Sequence, residues 1–481
     1  MRHIREYSSP EVNIFVGYKG ELTPENHNAC YIGSNITFDL KALASYFFND
    51  RSELSYDAFV LAAAVEYADY FKKRPRMGWA RSFFLDVPVS NPEAWNTPHI
   101  RRLIVNALNM LTGDSWKIHF RQRSTSIDWP EQTTLKLPTA TQAVIAFSEG
   151  MDSLAVGGLS KIQLGDQLVQ LRLGKKNTEK GAPFIAVPFN FHLPKNVKKN
   201  SERSGRSRGF KFAILSIVAS LLSKSSKIIV PESGQGAIGP ALITLSRIPP
   251  DYRNHPSFFH EMEKLAAELL GISVTFEIPR LWNTKGQTLK KYVEETNDKV
   301  KWPKLWGSSG MTLKKYTTET NDHIKWPSTT SCWRDARFVS FEKEKRQCGI
   351  CAACLLRRMS VHAAGLTETT DQYLWHDLTV QTFENGTIKP FEELKGQDAY
   401  LKYARAAVCH LQDLAYLDDP TVLNINAGKI ARAHRISKSD VMSKQVNLLN
   451  QHRYEWENFL KSLGPSSFIA KWVVDGGKHA A

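Results

Sequence analysis

The stretch that decides the fold reads Val144-Ile145-Ala146-Phe147-Ser148-Glu149-Gly150-Met151-Asp152-Ser153. It opens with an apolar run long enough for one buried strand, breaks at a Ser-Glu-Gly turn, and resumes with small and apolar residues that suit a helix. A strand, a tight turn and a helix in this order aim backbone N–H groups and the positive end of the helix dipole at an anion. The stretch therefore predicts an α/β fold with an anion-binding turn at the end of one strand.

Three side chains add chemistry to this turn, which we call the serine turn (residues 148–153). Ser148 and Ser153 supply hydroxyl donors, and Asp152 supplies a carboxylate that can hold a metal ion or orient a water molecule. No Gly-Lys-Ser/Thr follows, so the turn is not a Walker A loop. An ordinary helix cap built from serine and glycine is the competing interpretation, and the stretch alone does not separate the two.

Strands and helices alternate after Thr139, which predicts a parallel sheet with helices on both faces. Residues 162–182 hold a polar insertion, Gly174–Gly181. The strand at 227–230 ends in the glycine-rich turn Glu232–Gly236. Because ligands in open α/β sheets bind at the carboxyl ends of strands, we expect this turn, the serine turn and Asn190–His192 to converge.

The chain divides into four predicted segments. Residues 1–137 read as an N-terminal α/β accessory domain, and residues 138–282 as the domain that carries the serine turn. Residues 283–365 hold a tandem repeat and a cysteine cluster, and residues 366–481 form a C-terminal helical region. The repeat sets Thr288–Pro303 and Thr312–Pro327 24 residues apart. Two copies are too few for a solenoid, so the repeat is interpreted as a local duplication, and the sequence does not say which copy faces the site.

Charge and hydropathy narrow the classes of protein. The 481 residues carry a formal net charge of +15, which favours anionic partners such as nucleotides, nucleic acid or an acidic protein. Basic residues concentrate between Lys195 and Lys211, for which a solvated surface loop is the competing explanation. No apolar run reaches the length of a membrane span, and the N-terminus lacks an apolar signal core. We therefore expect a soluble cytoplasmic protein without a membrane partner.

Four of the six cysteines cluster as Cys332, Cys348, Cys351 and Cys354. In a cytosolic protein such clustering favours a metal over disulfides. Four thiolates complete a tetrahedral zinc site and leave no position open for water or substrate, so the predicted zinc is structural. Cys30 and Cys409 are expected to be ordinary thiols.

The serine turn and the cysteine cluster together resemble a known family. Residues 148–153 are similar to the pyrophosphatase (PP) loop Ser-Gly-Gly-x-Asp-Ser, with Glu149 in place of the first glycine. Residues 331–332 and 348–357 are similar to the cysteine motif of 7-cyano-7-deazaguanine synthase (QueC), and residues 206–209 and 284–286 to two of its other motifs. The resemblance covers about residues 140–365, and the longer layout resembles the QueC-like proteins of the Qat anti-phage defence cassette.

The resemblance implies an adenine-nucleotide alpha-hydrolase-like (PP-loop) fold and an AMP-forming ligase. A 7-deazaguanine carboxylate would attack the α-phosphate of ATP and release pyrophosphate, with Mg²⁺ and the loop neutralising charge. An amine, either ammonia or an amine of a protein partner from the same operon, would then attack the activated acyl carbon. The implied catalytic residues are Ser148, Asp152 and Lys285. The implied contacts to ATP, phosphate or base are Ser148, Gly150, Met151, Asp152, Ser153, Arg206, Arg208 and Glu232.

Two other functions stay open at this point. A tRNA-modifying enzyme of the same ATP class that inserts sulfur needs a catalytic cysteine near the loop, and none lies between Cys30 and Cys332, which argues against it. A catalytically weak or inactive protein could instead keep the fold and zinc and bind nucleic acid or a partner through its basic surface. Glu149 motivates this second alternative, and ATP consumption separates it from the enzymes.

Overall fold

The computed structural model describes residues 10–38, 52–75, 78–127, 141–148, 150–174, 187–244, 248–300, 325–332, 340–341 and 344–479. Glu149, most of the second repeat copy and residues 175–186 lie outside the described residues. The expectations attached to them, the effect of Glu149 on the loop above all, stay predictions.

One ten-stranded sheet organises the first 280 residues. Its strand order is β10-β9-β6-β7-β8-β3-β2-β1-β4-β5. All neighbouring pairs are parallel except β3 and β8, where Ile36 faces Phe191 and Phe38 faces Phe189. The predicted α/β class with a mostly parallel sheet is therefore confirmed. The strands are β1 (Val12–Tyr18), β2 (Asn28–Ile32), β3 (Ile36–Phe38), β4 (Ser82–Val89), β5 (Ser115–Gln122), β6 (Ala143–Phe147), β7 (Leu168–Gly174), β8 (Val187–Phe191), β9 (Lys227–Ile229) and β10 (Thr275–Glu277).

Helices cover both faces of the sheet around β6. Val144 shares a core with the helix at 208–223, whereas Ile145 and Phe147 face the helix at 151–164, as the alternation of side chains along a strand requires. The described helices are α1 (Glu53–Phe71), α2 (Pro92–Asn96), α3 (Pro98–Thr112), α4 (Met151–Leu164), α5 (Lys195–Lys198), α6 (Arg208–Ser223), α7 (Gly234–Ala237), α8 (Gly239–Leu242), α9 (Pro256–Leu270), α10 (Lys285–Thr296), α11 (Ala352–Ala363), α12 (Gln397–Ala415), α13 (Pro420–His434), α14 (Lys438–Leu463) and α15 (Phe468–His479).

Strand β7 was missed by the sequence analysis, which identified only a polar insertion, residues 174–181, between residues 162 and 182. The segment instead contains the end of α4 and a central strand of the sheet. The apolar pattern was hidden because Gln170 and Arg172 are both buried on this strand, at 4% and 3% exposure. Polar residues at buried positions defeat a reading based on hydrophobic periodicity.

The ten strands divide into two halves with the same topology. In each half the order, counted along the chain, is third-second-first-fourth-fifth. Helices α1 and α6 each follow the third strand of their half and pack on each other, and α3 and α9 each follow the fourth strand and do the same. Because the equivalent strands β3 and β8 pair antiparallel, an approximate two-fold axis relates the halves. The sheet thus continues across the boundary that the sequence places near residue 137.

The two halves differ at the end of their first strand. In the second half, β6 leads through the serine turn into α4. In the first half, residues 19–27 connect β1 to β2 without a helix. Within the described ranges, only the second half therefore places a turn and a helix N-terminus where a parallel sheet binds anions.

A buried ionic network ties the halves together. Arg81 Nη2 lies 2.6 Å from Asp69 Oδ1 and 2.6 Å from Asp114 Oδ2. The other Asp69 oxygen accepts a hydrogen bond from the Ser207 backbone N–H at 2.9 Å, across the approximate axis. Lys211 Nζ crosses the same boundary and lies 2.6 Å from Glu66 Oε1. Each of these buried charges has an opposite charge and hydrogen bonds, which is the condition for burying it.

The C-terminal helices pack against the second half. Helix α13 contacts α9, and α14 contacts α7 and α11. No helix in the described part of the chain is both long enough and apolar enough to cross a membrane.

Candidate active site

The serine turn has the geometry of an anion-binding turn. β6 ends at Phe147, and Gly150, in an extended conformation, caps α4. Ser148 Oγ accepts a hydrogen bond from the Gly150 N–H at 3.2 Å and lies 2.8 Å from Ser153 Oγ. Both hydroxyls are therefore held beside the first turn of α4, whose leading N–H groups have no partner within the helix.

Lys285 and Asp152 form an ion pair at the floor of the site. Thr284 caps α10 with a complete capping box, which makes Lys285 the first residue of that helix. The Lys285 ammonium contacts Asp152 Oδ2, and both side chains are at most 15% exposed. Burial alone would lower the pKa of Lys285, but the charges of Asp152 and Glu232 outweigh it and raise that pKa above its ordinary value.

One oxygen of the Asp152 carboxylate is available to a ligand. Its Oδ1 is buried and has no hydrogen-bond partner among the described residues. A buried, unpaired carboxylate oxygen is costly in a folded protein unless a cation or ligand uses it. The oxygen donor set of this corner therefore fits Mg²⁺, which prefers carboxylate oxygens and phosphates.

Glu232 is the second carboxylate of the site. It follows β9, and its oxygens accept hydrogen bonds from the Ser233 N–H at 3.1 Å and from Asn254 Nδ2 at 2.8 Å. Burial, with the negative charge of Asp152, raises the pKa of Glu232 to about 8, although Lys285 opposes the shift. A carboxyl with such a pKa can exchange a proton near neutral pH.

Gly236 is required beside Glu232. A Cβ at position 236 would lie 2.3 Å from Glu232 Oε1, so a side chain there must push the carboxylate away. The glycine of the turn after β9 is thus explained by close approach rather than by its backbone angles.

These groups open into one cavity of about 590 Å³. Its walls come from the serine turn, the turn after β9, the N-terminus of α6, helix α12 and the residues next to the cysteine cluster (330–332 and 352–356), which we call the zinc segment. A cavity of this size is typical of small-molecule sites. The polar and charged side chains that line it are Ser148, Asp152, Ser153, Arg208, Ser216, Glu232, Gln235, Asp251, Arg253, Asn254, Lys285, Thr330, Ser331, Cys332 and His410.

The structure gathers most of the residues that the sequence singled out. The residues from that set that line the cavity are Ser148, Gly150, Met151, Asp152, Ser153, Arg208, Glu232 and Lys285. Arg206 lies elsewhere, because its guanidinium donates to the carbonyl oxygens of Pro249 at 3.0 Å and Pro250 at 3.2 Å. Asn190–His192 do not line the cavity.

Sequence reasoning assigned no role to several polar residues of the cavity, among them Asn254, Gln235 and His410. Asn254 fixes Glu232, and it lies in a connection without any recognisable motif. Gln235 lies inside the predicted glycine-rich turn, but no motif marked its side chain as a functional one. His410 belongs to α12, beyond the span of the resemblance, and burial lowers its pKa to about 4, so its imidazole is neutral at physiological pH.

The four cysteines form a candidate metal centre beside the cavity. Their sulfurs all lie within 4.8 Å of one another, and Cys348 Sγ is 3.8 Å from Cys354 Sγ. A tetrahedron with Zn–S bonds of about 2.3 Å has edges of about 3.8 Å, so this set fits Zn²⁺. Gly349 makes the turn with φ +84°, and a Cβ there would lie 2.6 Å from the Trp375 carbonyl oxygen. The predicted zinc ligands are thus brought together.

The metal centre and the cavity share a wall. Cys332 and Ser331 line the cavity, as do Ala352 and Ala353 at the start of α11. Arg357, fully buried in the same helix, donates to the Thr329 carbonyl oxygen at 3.0 Å and to Thr329 Oγ1 at 2.7 Å. A metal ion held by the four sulfurs would therefore fix the segment 326–332 against the cavity.

Comparisons with protein-family models, curated protein sequences and solved structures returned no significant match. The fold and the site define an α/β protein with a serine-containing turn at a helix N-terminus, a paired lysine and aspartate, and a four-cysteine site that can hold zinc.

Proposed function

We propose that this chain is a QueC-like, AMP-forming ligase that activates a 7-deazaguanine carboxylate with ATP and passes it to an amine in bacterial anti-phage defence. The observation that carries the proposal is the convergence of Ser148, Asp152, Ser153, Glu232 and Lys285 on one cavity. These residues come from three strand ends and helix starts that are far apart in the sequence. Ser148, Asp152 and Ser153 match the ATP loop of the resemblance to QueC, and Glu232 and Lys285 are further contacts that the resemblance implies.

The first half-reaction uses the floor of the site. The hydroxyls of the serine turn and the N-terminus of α4 bind the departing pyrophosphate. Lys285 neutralises the charge that develops on the α-phosphate as the substrate carboxylate attacks it. Asp152, through its unpaired Oδ1, would hold Mg²⁺, which would supply further charge neutralisation.

The second half-reaction needs a proton acceptor. The amine nitrogen attacks the acyl carbon, AMP leaves with the bonding electrons, and the nitrogen loses a proton. Glu232 lies in the same cavity and can take that proton, because its raised pKa makes it a better base than an ordinary carboxylate.

Pyrophosphate release from ATP and Mg²⁺, measured with and without 7-carboxy-7-deazaguanine, tests the proposal. We expect release that requires the deazaguanine and that falls about 10²-fold or more in Asp152→Asn. The matched control is Asp166→Asn, just beyond the other end of α4, where the carboxylate is 94% exposed and should not matter. Release without the deazaguanine, or full activity in Asp152→Asn, would contradict the proposal.

A non-catalytic defence component that binds a partner or nucleic acid is the second candidate. The replacement of the first loop glycine by Glu149 favours it, because a carboxylate there repels phosphate. This candidate predicts no pyrophosphate release under any substrate combination from zinc-loaded, folded protein. Release restored by Glu149→Gly would instead indicate a ligase whose loop is attenuated.

A further inference from the structure

The C-terminal helices reach the cavity although the resemblance to QueC ends near residue 365. His410, Leu411 and Leu414 of α12 line one wall. Helix α14 lies behind the floor and contacts α7, the short helix that follows Glu232. Neither helix has a place in the motifs that the sequence analysis used.

A hydrogen-bonded relay joins these helices to Lys285. His452 Nε2 lies 3.0 Å from the Leu411 carbonyl oxygen, and His452 Nδ1 lies 2.7 Å from Gln235 Nε2. Gln235 Oε1 accepts a hydrogen bond from the Lys285 backbone N–H at 2.8 Å. The relay therefore runs from α12 through α14 and α7 to the first residue of α10.

The relay requires a neutral imidazole in one tautomer. An amide nitrogen only donates, so His452 Nδ1 accepts from Gln235 and His452 Nε2 carries the proton that goes to Leu411. His452 is fully buried, and burial lowers its pKa to about 4. The required form thus persists across the physiological pH range.

A second contact holds the same helix end. Glu455, one turn further along α14, accepts a hydrogen bond from Thr284 Oγ1. Thr284 is the cap of α10 and precedes Lys285. A Cβ at Gly286 would lie 3.3 Å from the Glu455 carboxylate, so the start of α10 and the face of α14 are closely packed.

We propose that His452, acting through Gln235, is a positioning residue that sets Lys285 against Asp152, and that the C-terminal helices are therefore part of the reaction centre. The inference rests on the proposed function for its kinetic consequence. The placement of Lys285 is also measurable without turnover. A displacement of about 1 Å in such a group costs on the order of 10²-fold in rate.

The test compares His452→Leu with Gln445→Leu. Gln445 is also fully buried on α14, two turns before His452, where it accepts from Asn426 Nδ2 at 2.7 Å and donates to the Leu423 carbonyl oxygen at 3.2 Å. Each variant removes two buried hydrogen bonds from the same helix, but only His452 is linked to Lys285. We expect similar losses of Tm in both, with kcat about 10–100-fold lower only in His452→Leu and KM for ATP nearly unchanged.

Two further readouts separate positioning from simple destabilisation. Displacing Lys285 removes a positive charge that lowers the pKa of Glu232. Because a general base acts only when it is deprotonated, the acidic limb of the pH–rate profile should move to higher pH in His452→Leu only. His452→Gln, which keeps one donor and one acceptor, should recover much of kcat. Gln235→Met breaks the same relay at its other member and should reproduce the loss of kcat. This variant replaces His452→Leu in the test if His452→Leu does not fold.

Chemical labelling of Lys285 tests the positioning role of His452 independently of ligase activity. An amine-specific acylating reagent read by mass spectrometry should modify Lys285 faster in His452→Leu than in wild type or Gln445→Leu, because the ion pair with Asp152 protects it. Absence of pyrophosphate release from wild type with this labelling pattern intact would refute the ligase and support the positioning. Labelling and kcat equal to those of Gln445→Leu would overturn the inference.

Discussion

At the scale of single residues, Glu232 makes the stability of the protein depend on pH. Its folded pKa of about 8 exceeds that of a carboxyl in an unfolded chain, about 4.3, because burial and Asp152 disfavour its charge. Between these values the folded state binds more protons than the unfolded state, so this contribution to stability falls as pH rises from about 4 to about 8 and is constant above.

We predict that Glu232→Gln flattens this dependence. The variant cannot ionise, so its Tm should fall less than that of wild type between pH 5.5 and about 8. Differential scanning fluorimetry across that range measures both proteins. Other groups that titrate there, such as Asp57 with a pKa of about 6, are common to both proteins and cancel in the difference. Parallel Tm curves would show that Glu232 is not buried beside Asp152 as described.

Gly236→Ala should lower activity without loss of metal. The new Cβ, 2.3 Å from Glu232 Oε1, would displace the carboxylate, and we expect kcat for ligation to fall about tenfold or more. Gly428→Ala, inside α13 with only an ordinary contact at 3.7 Å to Lys438, is the matched control. It should keep kcat and raise stability by about 0.5–1 kcal/mol, since alanine favours a helix over glycine. Equal kcat values in the two variants would count against close packing at Gly236.

Some residues of the cavity could be predicted from the sequence, and others could not. The positions of Ser148, Asp152 and Lys285 in the cavity wall could be predicted because each stands in a motif whose backbone geometry is local. Arg206 and Arg208 are two residues apart in one basic turn, and sequence cannot tell which lines the cavity and which serves the carbonyl oxygens of Pro249 and Pro250. His410 and His452 could not be predicted because their roles arise only from long-range packing.

At the scale of elements, the zinc segment forms one wall of the cavity, so its metal should matter to substrate binding. We predict that each chain binds one zinc ion and that Cys354→Ser loses it. This variant should have a lower Tm and a higher KM for ATP, because Ser331 and Cys332 line the cavity. Metal analysis with a chromogenic chelator and Tm measurements test this. Cys409→Ser, at an exposed thiol outside the cluster, should retain zinc and KM. Retention of a full zinc equivalent by Cys354→Ser would rule out a four-sulfur centre.

The elements divide into those that local patterns predict and those that they do not. Helix α3 begins at Pro98 and ends before Gly113, which has φ +67°, as its cap residues indicate. Strand β7 escaped detection because Gln170 and Arg172 interrupt its apolar pattern. The antiparallel pairing of β3 with β8 joins strands that lie about 150 residues apart, and no local pattern encodes it.

At the scale of the whole molecule, the contact between the halves is held partly by the buried pair of Lys211 and Glu66. We predict that Glu66→Gln lowers the free energy of unfolding by about 3–5 kcal/mol, because it leaves a buried ammonium without its charge partner. The double variant Glu66→Leu/Lys211→Met should regain most of this loss. Urea denaturation measures both.

The exposed pair of Lys227 and Glu277 provides the control for that experiment. Its side chains are 40% and 42% exposed, so Glu277→Gln should cost less than about 1 kcal/mol. A loss in Glu66→Gln as small as this would show that the contact between the halves is solvated.

The approximate two-fold axis has a consequence for behaviour on dilution. Two identical subunits that paired through β3 and β8 would dissociate at low protein concentration. In such a dimer every surface would be present in two copies. Here the two halves belong to one chain, so a half with the serine turn always accompanies a half whose described residues form no such turn, whatever the protein concentration. A ligand of the cavity and a molecule that contacts the first half would therefore always meet on the same chain, without any assembly step.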